Sequence, residues 1–169
     1  LYRVAGFVPL AVAGSLDVAK GALGPTVAGT RRPGLAAAAA AATVAGHNWS
    51  LFLRGAGGRG ISPALGALTA GAPAGAGVLL GGLAAGRISR RTGLGCFVAY
   101  VALVPVARRC HGWRGTLLAI GVLIPLLAKR VAGNRTPQTW DARTVISRLL
   151  FDHDPPAPRH RAGERRLAA

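Results

Sequence analysis

Three stretches of this chain place polar, chemically capable groups inside otherwise apolar surroundings. The first is SLDVAKG, residues 15–21, which puts Asp17 and Lys20 in the opening apolar run. An ionisable group near mid-bilayer costs on the order of 3 kcal/mol, so such groups face partners or water. At i,i+3 the two share a helix face and can pair. Two readings stand level: an internal ion pair that fixes helix packing, or part of an active site. The second stretch is GHNWSLFLRGAGGRG, residues 46–60. His47 falls near a helix end, Trp49 and Phe52 suit the headgroup belt, and Gly55, Gly57, Gly58 and Gly60 follow beside Arg54 and Arg59. Glycines let successive backbone amides face one concavity, and such nests bind phosphate. Arg59 adds a planar fork able to hold two phosphate oxygens. A glycine loop alone reads equally as a flexible turn; its place after a histidine-bearing helix end makes the phosphate reading the stronger one.

The third stretch is RTVISRLLFDHD, residues 143–154. Its Val145, Ile146 and Leu149 share a face, which predicts a short amphipathic helix over 142–150. Asp152, His153 and Asp154 read as a solvated turn, because adjacent side chains rarely converge on one ion, and no metal is expected. Cys96 and Cys110 lack a second pair to complete a zinc site and read as incidental small residues. His111, among arginines, reads as solvated. No Ser/His/Asp arrangement is present.

The elements that must position these groups are membrane helices. Charged residues make up 15% of the chain, against about 25% in an ordinary soluble domain. None occurs from residue 60 to 86, and a membrane-crossing helix needs roughly 20 apolar residues. Apolar stretches cover 4–29, 35–53, 61–86, 94–107 and 115–128. The middle one contains GAPAGAG, residues 71–77, where Pro73 between small residues marks a break. Six short Ala/Gly-rich segments result: an all-α, polytopic integral membrane bundle. Small residues let such helices approach closely, which supplies packing that lipid does not drive.

The break also sorts the charge. Arg3, Arg54, Arg59, Arg87, Arg90, Arg91 and the cations from Lys129 onward share one face, while Arg31, Arg32, Arg108, Arg109 and Arg114 lie opposite. The positive-inside rule makes the richer face cytoplasmic. The net charge of +16 invites a nucleic-acid reading, but 5% aromatics and no zinc spacing exclude that class. Residues 1–134 read as the membrane bundle with its cytoplasmic loops. Residues 135–169 read as a basic cytoplasmic tail, with the amphipathic helix followed by a disordered end.

Taken together and in this order, the three stretches resemble the bacterial acyl-phosphate:glycerol-3-phosphate acyltransferase family (PlsY type). GHNWSLFLRGAGGRG is similar to that family's second motif, SLDVAKGAL to its LDxxKG stretch, and VISRLL with Asp154 to its third motif. The resemblance covers about residues 1–154. It implies a multi-pass enzyme of the bacterial inner membrane that moves a fatty acyl group from acyl phosphate to the 1-hydroxyl of glycerol 3-phosphate. Lysophosphatidic acid for phospholipid synthesis is the product, and no cofactor or metal takes part. The implied catalytic residues are His47, Asp17 and Arg59. The implied phosphate-binding residues are Arg3, Lys20, Gly57, Gly58, Arg59, Gly60 and Arg148. The family's first motif would precede Leu1, so a further helix and a Ser/Asn/Gly/Thr-rich loop are expected upstream. Arg59 stands where the family has Lys, Val145 where it has Asn, Ala142 where it often has His, Asp152 where it has Gly and Asp154 where it has Glu. A non-catalytic or divergent phospholipid-binding relative is the first rival reading, and a small membrane transporter the second.

Overall fold

A computed structural model describes residues 6–133 and 140–152; Arg3, His153 and Asp154 lie outside them. The described chain folds as α1 (Phe7–Ala28), α2 (Pro33–Asn48), a 3-10 turn (Leu51–Leu53), α3 (Ile61–Gly71), α4 (Pro73–Ile88), α5 (Thr92–Ala132) and α6 (Ala142–Phe151). Two of these, α1 and α5, are long and apolar enough to cross a membrane.

Both expected breaks are built in. At Ala72 the backbone leaves helical geometry (φ −155°, ψ 64°), and Pro73 opens α4, where its missing N–H costs nothing. In α5 the backbone reverses at Gly112 (φ 60°, ψ −148°). Residues 92–111 and 113–132 are therefore two antiparallel arms, and the bundle has six segments. The amide of Ala74, left free at the start of α4, donates to His111 Nε2 at 3.2 Å. His111 is thus a cap on the break rather than a solvated side chain: both breaks fall at the same end of the bundle, which brings it within reach.

The helices alternate between two ends. One, the loop end, gathers residues 48–60, the end of α4, both termini of α5, and α6. The other gathers the α1–α2 turn, the α3–α4 break and Gly112. Packing runs α1 on α2 and α3, α2 on the second arm of α5, and α4 on α5. The core is small-residue rich: Ala40, Ala64, Ala67, Ala99, Ala107 and Ala119 surround Leu68, Leu79, Leu103, Val122 and Leu126. Such side chains allow near backbone contact. A Cβ at Gly66 would strike the Val18 carbonyl, and one at Gly21 would strike that of Pro63.

Many large apolar side chains face outward. Phe7, Leu16, Leu23, Val27, Leu51, Phe52, Ile88, Val98 and Val101 are all exposed. A water-facing surface does not present apolar side chains on this scale; a lipid-facing one must. The fold is that of a helical membrane bundle.

Candidate active site

α1 and α2 meet around one polar cluster. Asp17 Oδ1 sits 2.5 Å from Lys20 Nζ and 3.3 Å from His47 Nδ1. Lys20 Nζ lies 3.2 Å from the same nitrogen. A neutral His47 accepts at Nδ1 from the Lys20 ammonium, which leaves the proton on Nε2; a charged His47 donates to Asp17 instead. The i,i+3 pairing expected from sequence is present, and His47 completes it from the neighbouring helix.

The glycine loop lies directly on the end of α2. The Gly58 amide donates to the His47 carbonyl at 3.2 Å, and the His47 Nε2 edge rests against the Gly58 Cα so closely that no Cβ could fit. Gly57 is pinned in the same way against the His47 and Asn48 carbonyls. Gly60 takes a left-handed conformation (φ 73°) and opens α3 with no side-chain cap. A Cβ there would strike Asn48 Oδ1. These glycines are needed for close approach to α2, and the Gly58 amide is spent on that contact rather than on an open concavity. The amides that follow, at the start of α3, carry the partial positive charge of a helix N-terminus.

Arg59 projects from this loop toward α6, where its Nη1 lies 2.6 Å from Asp152 Oδ1. The two flank a cavity of about 290 Å3, also lined by Thr92, Cys96, Tyr100, Leu126 and Arg130. Another cavity, of about 260 Å3, lies at the opposite end around Arg114 and Leu118, away from every sequence motif.

Four of these residues were not singled out from the sequence. Asp152 was read as part of a solvated turn, yet it reaches Arg59 because α6 folds back across the end of α5. From the sequence, Lys129 and Arg130 are loop-end cations just beyond the last apolar stretch, 115–128. Helix α5 instead runs on to Ala132, which leaves Lys129 1% and Arg130 4% exposed. Arg130 Nε donates to the Arg148 carbonyl at 3.2 Å. Its Nη2 reaches the carbonyls of Gly93 and Leu150, and its guanidinium lies over the Tyr100 ring. Asn48, fully buried, donates to the Pro125 carbonyl at 2.8 Å. The one sequence signal was the placement of Lys129 and Arg130 directly behind an apolar run.

Arg148 stands apart from the Arg59 cavity. It is 3% exposed, and its Nη1 donates to the carbonyls of Val131 and Ala132, at 2.8 Å each. Those carbonyls end α5 and have no intrahelical partner. Arg148 therefore closes α5 and fastens α6 to it, with its face over Trp140. Among the described residues, no three His, Cys, Asp or Glu side chains come close enough to share a metal ion.

A helical bundle with an apolar exterior, and a glycine loop whose Arg59 meets Asp152 beside a cavity at one end, defines a helical membrane protein. The sequence comparisons agree on which one. The family model described as glycerol-3-phosphate acyltransferase matches residues 1–135, and the chain belongs to that family. It is 31% identical over 122 residues to glycerol-3-phosphate acyltransferase 5 of Dehalococcoides mccartyi, which covers 66% of this chain and 52% of the relative. It is also 31% identical over 157 residues to a glycerol-3-phosphate acyltransferase of Halalkalibacterium halodurans, covering 88% and 71%. The chain thus spans about half the length of the first of these relatives. No solved structure matches it significantly.

Proposed function

We propose that this protein transfers a fatty acyl group from acyl phosphate to the 1-hydroxyl of glycerol 3-phosphate, releasing lysophosphatidic acid and inorganic phosphate. The observation that carries the reading is Arg59: its guanidinium stands at the mouth of a cation-lined cavity, at the end of a glycine loop that begins an uncapped helix. In the reaction the acceptor oxygen forms a bond to the acyl carbon while the bond from that carbon to the phosphate oxygen breaks. The electron pair leaves on phosphate, and the hydroxyl proton goes to the departing phosphate. An acyl phosphate is already activated, so positioning and charge stabilisation suffice without a protein nucleophile. Arg59 neutralises the charge that grows on the leaving group, aided by the amides at the start of α3. Asp17 and Lys20 set the tautomer and orientation of His47. Gly57, Gly58 and Gly60 hold the loop against α2, and Arg148 holds α6 in place. Arg3 would meet the glycerol phosphate.

The setting follows from the charge. The loop end carries Arg54, Arg59, Arg87, Arg90 and Arg91 with the cations of α6, whereas the far end carries Arg31, Arg32, Arg108, Arg109 and Arg114. With the loop end cytoplasmic, the chain is a multi-pass protein of the bacterial inner membrane and takes soluble glycerol 3-phosphate from the cytosol.

The test uses the full-length protein in detergent with an acyl phosphate and glycerol 3-phosphate. Phosphate release that requires both substrates and disappears in Arg59→Ala is the expected result. Release indifferent to Arg59→Ala removes that residue from the site; no release in the unaltered protein leaves a phospholipid-binding relative without catalysis.

A further inference from the structure

A buried cation without a counter-charge is costly, because burial removes its water and nothing replaces it. Among the described residues, Lys129 is in that position. It is 1% exposed and among the largest fully enclosed side chains. Its Nζ lies over the Trp49 ring, 5.2 Å from the centroid, which offsets only part of the loss of water. The carboxylates within the described residues are all engaged elsewhere: Asp17 with Lys20 and His47, Asp141 with Thr144, and Asp152 with Arg59. Burial is the larger cost to the Lys129 charge, and the like charge of Arg59 adds to it.

A second unmet group lies beside it. Asn48 precedes Trp49 and is fully buried, and its Oδ1 has no hydrogen-bond partner among the described residues. That oxygen faces Gly60, at the start of α3, while the Asn48 amide nitrogen is fixed to the Pro125 carbonyl, one helical turn before Lys129. Among the described residues, an ammonium and an acceptor without partners thus flank the loop that bears Arg59. A ligand that answers both carries an oxyanion for the cations and a hydroxyl for the amide oxygen. A phosphate monoester of a polyol has both.

We propose that Lys129 is a second phosphate-binding cation of this site, which closes with Arg59 on the phosphate of a hydroxylated phosphate monoester and is left unpaired until that ligand arrives. The proposal rests on the acyltransferase reading above and adds to it a residue from the end of α5. A dianion bound between Lys129 and Arg59 would be the counter-ion of both, so binding affinity is drawn from the unmet burial cost of Lys129.

The two roles open to Lys129 predict opposite results. A ligand-binding Lys129 makes Lys129→Met melt at a higher temperature in phosphate-free detergent buffer, since an unpaired charge has been removed. The same variant then binds glycerol 3-phosphate about tenfold or more weakly in a calorimetric titration, and Lys129→Arg retains most of the affinity. Unchanged affinity in Lys129→Met overturns the proposal, whatever happens to the melting temperature. If Lys129→Met keeps its affinity while Arg59→Gln loses it, this inference fails and the acyltransferase reading stands. If only Lys129→Met loses affinity, the role given to Arg59 fails instead. Should Lys129→Met not fold, the unaltered protein still decides. The chain contains two lysines, Lys20 and Lys129, so amine labelling read by mass spectrometry resolves each. Glycerol 3-phosphate must slow labelling at Lys129, and an unchanged rate there overturns the proposal.

Discussion

Arg59, in the loop before α3, and Asp152, just past the end of α6, meet at 2.6 Å across the mouth of the loop-end cavity. The contact joins the glycine loop to the end of α6, and it sets a carboxylate against the guanidinium proposed to bind phosphate. Both side chains are partly exposed, at 41% and 30%, so solvent screens the pair and it contributes at most about 1 kcal/mol to stability. Asp152→Asn is therefore expected to leave the thermal unfolding temperature nearly unchanged. It should also strengthen inhibition by inorganic phosphate, because a competing anion has gone. Weaker phosphate inhibition in this variant would show that Asp152 helps to place Arg59 rather than competing for it.

Arg59→Lys separates charge from shape. The ammonium preserves the positive charge but loses the fork that grips two oxygens. Activity should fall less than in Arg59→Ala, for which a loss of about 100- to 1000-fold in kcat is expected of a group stabilising developing charge. Steady-state phosphate release with both substrates at saturation measures both variants.

The contact of His47 with Gly58 is testable as a coupled pair. Gly58→Ala forces a methyl group into the imidazole and should destabilise the protein by about 1–3 kcal/mol, with activity lost as His47 is displaced. His47→Ala opens that space. The double variant should recover most of the stability lost in Gly58→Ala and none of its activity. A double-mutant cycle read by thermal unfolding in detergent gives the coupling; additive effects would mean that the loop does not rest on His47.

Arg130 is the fastener of α6. Its guanidinium ties α5 to the carbonyls of Arg148, Gly93 and Leu150, and Lys cannot reproduce that divergent fork. Arg130→Lys should leave buried carbonyls unpaired, at about 1–3 kcal/mol each. Amide exchange should then quicken across α6 before it quickens in α5. Uniform quickening in both helices would place Arg130 in the core rather than at a joint.

The start of α6 has a defined pH response. Hydrogen bonds from the Thr144 side chain and amide hold the Asp141 carboxyl below the usual carboxylate range. A folded-state pKa below the unfolded one stabilises at pH above the unfolded value, about 4, and this contribution is lost as pH falls through the folded value. The first turn of α6 should thus be insensitive to pH between about 5 and 8 and fray only in stronger acid. Asp141→Asn keeps a capping oxygen and should abolish that acid transition in amide exchange of Thr144 and Val145. Fraying that begins near neutral pH would point to a group other than Asp141.

Much of the architecture is local, and local features can be read along the chain. The uncharged run across 60–86 called for lipid-compatible helices, and Pro73 among Gly71, Ala72, Ala74 and Gly75 marked a break, whereas Pro25, Pro105 and Pro125 stay inside helices. Asp17 and Lys20 paired as their i,i+3 spacing requires. The order of motifs, and with it the family, was legible in the same way. What helix packing decided was different in kind. Whether Lys129 and Arg130 begin a solvated tail or end a buried helix depends on whether α6 folds over them, and α6 is held there by Arg130 and Arg148 reaching carbonyls on other segments. Asp152 meets Arg59, and His111 caps Ala74, for the same reason: each contact joins residues far apart in the chain. Spacing fixes neighbours on one helix, but the partner of a buried charge is fixed only when helices come to rest against one another and the cost of leaving that charge unmet selects what it faces.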